Sequence, residues 1–282
     1  MEKQQYNKLL QYRRQIDEID QKIIDLLKAR MEVVAQVGKY KEKTKDRLFI
    51  KSNREADMIK NLANKIGDHL PKSAIVTIWR KIITSANILE QNLKIGIYNP
   101  QNLEKYYYLT REYYGDFVPI INFDNGAEEI LAEISKNNIQ LAVFALPNNL
   151  VKNSENNWWI DLANQNSELK IFAKFPFVKY EKDQNQEQND LVVLAIKEEE
   201  QSISDKTLFV TKLAEDSDVN SLEKTLEEFD FSAKILAKNE QNYLVEIDGF
   251  FKQNDEKIQL LKNHKINPKI IGHYPTPIIL KS

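Results

Sequence analysis

The sequence contains no cysteine, which excludes disulfides, thiolate nucleophiles and cysteine-ligated metals, and fits a reducing, cytoplasmic setting. Glycine is scarce, at seven of 282 residues. Neither GxGxxG nor GxxxxGK followed by Ser or Thr occurs, so no glycine-rich phosphate cradle is expected. The three histidines are not spaced four apart, which leaves no basis for a helical zinc site. No apolar run approaches the ~20 residues of a membrane span, and the first residues lack the apolar core of a secretion signal, so no membrane partner is expected. Charge of one sign is also lacking: 40 basic and 42 acidic residues give a formal net charge of -2. The two signs are interleaved along the chain, so no nucleic-acid face is expected.

What remains is a chain with 42% hydrophobic residues, enough for packed cores, and a length that fits two or three modest domains. Residues 7–43 repeat apolar positions at helical spacing: Ile16, Ile19, Ile23, Leu26, Leu27, Val33, Val34 and Val37. Residues 43–46 read as a connection. Ser52-Asn53-Arg54-Glu55 has the form of a capping box and opens a second helix toward Gly67. Pro71 suits the first turn of a third, which runs through Trp79 to Leu89. Residues 1–92 therefore read as an all-α unit of three helices.

The pattern then changes. Short strands at 94–98, 118–123 and 141–146 alternate with helices at 101–114 and 126–137, and further strands are expected at 169–178 and 191–196. Residues 93–200 thus read as an α/β lobe with a parallel sheet. Residues 181–189 read as an exposed polar loop. From 201 to 282 the order is β-α-β-β-α-β, the ferredoxin-like α+β signature, which by itself assigns no function.

Three cations on the first helix invite a reading beyond solvated charge. Arg30 and Lys41 are eleven residues apart and share a face, about 16 Å apart along the axis, with side chains long enough to lean toward one small anion. Arg13 lies seventeen residues before Arg30, about 25 Å away, and points elsewhere. For both arginines to serve one site, a second copy of the chain must supply Arg13. On pattern alone these are charges on an amphipathic helix, Glu55 a capping-box residue, and Trp79 core.

The sequence 12–20 (YRRQIDEID), with Leu26-Leu27-Lys28-Ala29-Arg30 and Val37-Gly38-Lys39-Tyr40-Lys41, resembles the first helix of the AroQ-type chorismate mutases. Asn53-Arg54-Glu55-Ala56 resembles the start of that family's second helix, and 78–83 (IWRKII) through Leu89-Glu90-Gln91 resembles the third. The resemblance implies a cytoplasmic isomerase, homodimeric and without a cofactor, that converts chorismate to prephenate. It implies that Arg30 and the other copy's Arg13 bind the two substrate carboxylates. Lys41 and Glu90 would act at the ether oxygen, with Lys41 also touching a carboxylate. Glu55 would hold the ring hydroxyl, and Arg54 would support all of these substrate-contacting residues. Lys51 and Ala86 fall at substrate-positioning places where the family often has Asp and Ser.

The junction 89–100 and the segments 242–249 and 270–275 resemble bifunctional chorismate mutase–prephenate dehydratases, the last two within their ACT-type regulatory domain. The middle departs from that pattern. Asn99-Pro100-Gln101-Asn102-Leu103 replaces a Glu-Gly-Thr turn, and Asn189-Asp190-Leu191 stands where a Thr-Arg-Phe motif is usual. The lobe is accordingly expected to be a degenerate dehydratase-like unit, and the ACT-like unit a scaffold. The alternatives are a bifunctional enzyme with a divergent second site, and a non-catalytic regulatory protein of the same pathway.

Overall fold

The computed structural model describes residues 2–41, 48, 50–101, 103–147, 157–165, 168–181, 190–214 and 218–281. The expected connection at 43–46 and nearly all of the loop at 181–189 lie outside them. Three helices come first: α1 (Glu2–Lys41), α2 (Ser52–Lys65) and α3 (Lys72–Glu90). With 40 residues, α1 is about 60 Å long. Pro71 stands one residue before α3, where its fixed φ leads into the helix. The expected capping box at Ser52 does not form. The Ser52 hydroxyl donates instead to the Phe172 carbonyl at 3.0 Å, and Glu55 turns to an arginine on α3. The same device does form at the start of a later helix, where Asp218 accepts from the Ser221 amide and the Ser221 hydroxyl bonds back to Asp218.

The lobe carries β1 (Ile95–Tyr98), α4 (Glu104–Tyr114), β2 (Ile120–Phe123), α5 (Ala127–Ser135), β3 (Leu141–Ala145), α6 (Trp158–Asn164), β4 (Leu169–Phe175), β5 (Val178–Tyr180) and β6 (Leu191–Ile196). The last stretch is β7 (Asp205–Lys212), α7 (Val219–Glu228), β8 (Ala233–Asn239), β9 (Asn242–Asp248), α8 (Glu256–Asn263), β10 (Lys269–Pro275) and β11 (Ile278–Leu280). Strands β7 to β10 are ordered β10-β7-β9-β8, all neighbours antiparallel, as the ferredoxin-like reading requires.

These strands and all those of the lobe but β5 make one nine-stranded sheet, β2-β1-β3-β6-β4-β10-β7-β9-β8, while β5 pairs in parallel with β11 as a separate two-stranded sheet. The lobe's sheet is mixed rather than parallel. β1 runs parallel to β2 and β3, but β6 lies antiparallel between β3 and β4. Helical crossovers set the direction of the first three strands, and nothing in the period-2 pattern reported the reversal at β6. β4 and β10 meet in parallel at Gly272 and Ile171. Gly272 has φ +150°, and a Cβ there would lie 2.2 Å from the Ile171 carbonyl oxygen, so only glycine permits this approach.

Alternation along the strands sorts side chains to two faces. Ala142, Phe144, Val192 and Leu194 face α5 and α6. Leu141, Val143, Leu191 and Val193 face α2, α3 and α4. Farther along the sheet, Phe209, Tyr243 and Val245 pack under α7 and α8. The short helix α6, with Trp158 and Trp159 buried, contacts β10 and β7 as well as the lobe, and so lies across the seam between the two stretches of sheet. Among the described residues, none of the buried apolar side chains belongs to α1.

Candidate functional site

The site is built around α3, against which both α1 and α2 pack. The less exposed side of α1 is a narrow stripe, Leu27, Arg30, Met31, Val34 and Gly38, at the 3–4 spacing of a helix face. At Gly38 the helix comes against the end of α3. A Cβ on Gly38 would lie 3.3 Å from Glu90 Cγ, so the absence of a side chain sets the approach. Arg30 is two turns earlier on the same stripe. It is half-buried, and its Nη1 is enclosed without an acceptor among the described residues. A buried, unmatched donor costs about 1–3 kcal/mol, more when charged. The backbone of Lys41 lies one turn beyond Gly38, at the end of α1, and its side chain lies outside the described residues.

On α2, the Glu55 carboxylate accepts from Arg80 Nη1 at 3.1 Å and from Asn87 Nδ2 at 3.4 Å. Arg80 and Asn87 are two turns apart on one face of α3, and Glu90 follows Asn87 by one turn. Arg80 is 5% exposed. Its guanidinium lies over Tyr113 and Phe177, 4.4 and 5.0 Å from the ring centroids. Ala86 is buried one turn before Glu90. Sequence reasoning quoted Arg80 without a role and missed Asn87. The signal available was their seven-residue spacing on the face that carries Glu90.

At the start of α2, Lys51 meets Glu200 with Nζ 2.5 Å from Oε1, and Asn53 Nδ2 donates to the Glu200 carbonyl. Lys197 pairs with the other Glu200 oxygen at 3.5 Å and donates to the Ile50 carbonyl. Burial lowers the Lys197 pKa, and Glu200 only partly opposes this. The segment 197–200 therefore clamps the entry to α2. Arg54 and Arg13 are both exposed on this single chain.

A second polar cluster sits where the dehydratase motif was sought. Asn189 is outside the described residues, but Asp190 is buried and pairs with Lys174 at 3.2 Å and Lys179 at 2.7 Å. Lys174 also reaches Glu246 at 3.6 Å, and Glu246 accepts from the Tyr274 hydroxyl and from Lys206. Burial would raise the Glu246 pKa. Lys174, Tyr274 and Lys206 outweigh burial and lower it. Three cations and three anions, counting Asp248 beside Lys206, balance here. The members come from distant strands, so no local pattern announced the cluster.

Residues 12–91 match the family model for chorismate mutase type II. This segment is a chorismate mutase domain. A curated relative, the bifunctional chorismate mutase/prephenate dehydratase of Aquifex aeolicus, is 30% identical over 97 residues, 33% of this chain and 26% of the relative. The chain therefore spans about a quarter of that relative's length. Two solved structures at 12% identity have TM-scores of 0.41 and 0.40. One is described as GqqA, a novel type of quorum quenching acylases, with 66% of this chain and 96% of that chain covered. The other is prephenate dehydratase from Arthrobacter aurescens in complex with L-Phe, with 65% and 90% covered. Among the described residues, no helix is long and apolar enough to cross a membrane. The mutase domain coincides with α1 from Tyr12 onward, all of α2 and all of α3, and so contains every candidate site residue named above.

Proposed function

We propose that this chain rearranges chorismate to prephenate in a homodimeric mutase domain, 1–92, followed by a degenerate dehydratase-like lobe, 93–200, and an ACT-like unit, 201–282. The observation that carries this reading is the family match across all three helices. The reaction is an intramolecular Claisen rearrangement, so the protein must fold the substrate into a reactive conformer and meet negative charge as it grows on the ether oxygen. Arg30 takes one carboxylate with a bidentate fork, and Arg13 of a second copy takes the other. Lys41 meets the ether oxygen as a point charge. Glu55, held by Arg80 and Asn87, accepts from the ring hydroxyl. Glu90 assists only when protonated, because an ionised carboxylate has no hydrogen to donate.

The homodimer is supported by the free side of α1. Tyr12, Ile16, Ile19, Ile23 and Leu26 are each at least half exposed, and they recur along nearly four turns. An apolar band of that length calls for a covering helix. An antiparallel second α1 would cover it and carry Arg13 toward the Arg30 end. Against a working dehydratase stands Asp190, whose carboxylate is committed to Lys174 and Lys179.

The test is to incubate purified protein with chorismate and follow its loss and the appearance of prephenate. Catalysed loss with stoichiometric prephenate is expected. Turnover no faster than the spontaneous reaction would overturn the proposal. In the same samples, phenylpyruvate is expected to form from prephenate no faster than without protein.

A further inference from the structure

Helix α2 is anchored outside the helical unit it belongs to. Asn53, Asp57 and Lys60 follow one another at the spacing of a single helix face. That face meets the segment 197–204, which joins β6 to β7, and the end of β10. Asn53 Nδ2 donates to the Glu200 carbonyl. Both Asp57 carboxylate oxygens accept from the Ile203 amide at 3.3 Å, and Lys60 Nζ donates to Thr276 Oγ1 at 3.1 Å.

Glu200 makes the charged part of this anchor. One of its oxygens is 2.5 Å from Nζ of Lys51, the residue before α2, and the other is 3.5 Å from Lys197 Nζ. The Lys197 side chain is 5% exposed, so its pairing is poorly screened by solvent. The Glu55 amide donates to the Lys51 carbonyl at 2.9 Å. The residue that Glu200 holds therefore closes the turn from which Glu55 projects. Lys51 and Glu55 both act electrostatically on Lys197. Glu200 stands between the two lysines and offsets their repulsion, which leaves the Glu55 carboxylate to Arg80 and Asn87.

We propose that Glu200 is a positioning residue of the mutase site: by holding Lys51 and Lys197 together it fixes the first turn of α2 and with it the place of the Glu55 carboxylate. The proposal rests on the mutase reading and extends it, because Glu200 lies beyond the mutase domain, where the lobe passes into the ACT-like unit. A misplacement of about 1 Å in a group that orients substrate can cost on the order of 100-fold in rate, so a modest shift of this turn is enough to matter.

The test is a double-mutant cycle on the full chain, read as chorismate turnover. Glu200→Ala should lower kcat/KM at least about tenfold. Glu200→Asp, which keeps the charge and both oxygens, should recover most of that loss. In a Glu55→Ala background, Glu200→Ala should cost less than about twofold further, because the carboxylate it places is gone. A merely structural Glu200 would cost the same in both backgrounds. The backbone carbonyl that accepts from Asn53 survives in each variant. If Glu200→Ala fails to fold, as judged by its thermal transition, the cycle is run in Lys197→Met, which removes the buried cation that the substitution strands; the same loss is then expected through Lys51. Undiminished kcat/KM in Glu200→Ala, equal losses in the two backgrounds, or Glu200→Asp as damaging as Glu200→Ala would each overturn the proposal and leave the mutase reading standing. A parent chain without turnover would overturn the mutase reading and this proposal with it.

Discussion

Helix α1 and strand β6 are both rich in branched apolar residues, yet they have opposite fates. Leu191 to Ala195 of β6 are wholly buried, with helices on both faces of the sheet. On α1, Ile16 and Ile19 are 56% and 53% exposed and Leu26 is 71% exposed. Burial of one such side chain contributes about 1.5–3 kcal/mol, so β6 is secured within the chain while α1 has most of that stabilisation still to gain. The difference teaches that one chain supplies a finished sheet and an unfinished helical site. The proposed second copy completes α1 and delivers Arg13 in one step.

The sharpest way to break this contrast is to damage each side separately. Phe144→Ala, beneath Trp158 and Tyr98, should cost about 3–5 kcal/mol and lower the urea midpoint of the sheet. Ile19→Glu should leave that midpoint unchanged, yet yield monomers in sedimentation and abolish chorismate turnover. Monomers that retain full activity would end the two-copy site.

Arg30→Ala should reduce kcat/KM by the worth of a charge-assisted contact, about 1.5–3 kcal/mol or more, without shifting the thermal transition. Mixing it with an inactive Arg13→Ala protein should restore part of the activity, because heterodimers carry one intact site. Failure to restore any would separate the two arginines.

The sheet carries a pH dependence of its own. The Glu246 pKa is lowered in the folded protein, so this carboxylate's contribution is fully present above its unfolded value of about 4.3 and is lost as pH falls through the lower folded value. Acid should therefore destabilise the sheet, and Glu246→Gln should flatten stability against pH in that window. Urea midpoints between neutral and acid pH measure both.

The smallest expected effects lie where α1 meets α3. Glu90→Gln should raise kcat, because its amide can donate a hydrogen bond to the ether oxygen while an ionised carboxylate cannot. An unchanged kcat would show that Glu90 does not touch the ether oxygen. Gly38→Ala should lower kcat a few-fold with little change in stability. The added methyl presses on Glu90 Cγ, while alanine gains up to about 1 kcal/mol of helix propensity.

Much of the architecture was legible before any coordinates. The 3–4 spacing from Ile16 to Val37 announced α1, and the β-α-β-β-α-β order read after residue 201 is that of β7, α7, β8, β9, α8 and β10, with β11 added at the end. The missed helix α6 is seven residues long, too short for periodicity to register, and its Trp158-Trp159 pair is buried by contacts with distant strands. Strand direction escaped because alternation is the same for parallel and antiparallel neighbours. At the candidate site, Arg13, Arg30, Lys41, Glu55 and Glu90 were named through family likeness. The partners that aim Glu55 were not, because Arg80 and Asn87 acquire that role only when α3 packs on α2.

The seam at Gly272 also has a meaning in time. β10 lies between β4 and β7, and the Lys170–Ile270 hydrogen bond across the seam spans 100 residues of sequence. A ribosome adding about 5–20 residues per second takes about 5–20 s to cover that distance. Throughout that interval β4 stands on the nascent chain with one edge unpaired, a template for any passing strand. Lys170 and Lys174 within β4 are charges of the kind that discourage such encounters until the last strand arrives.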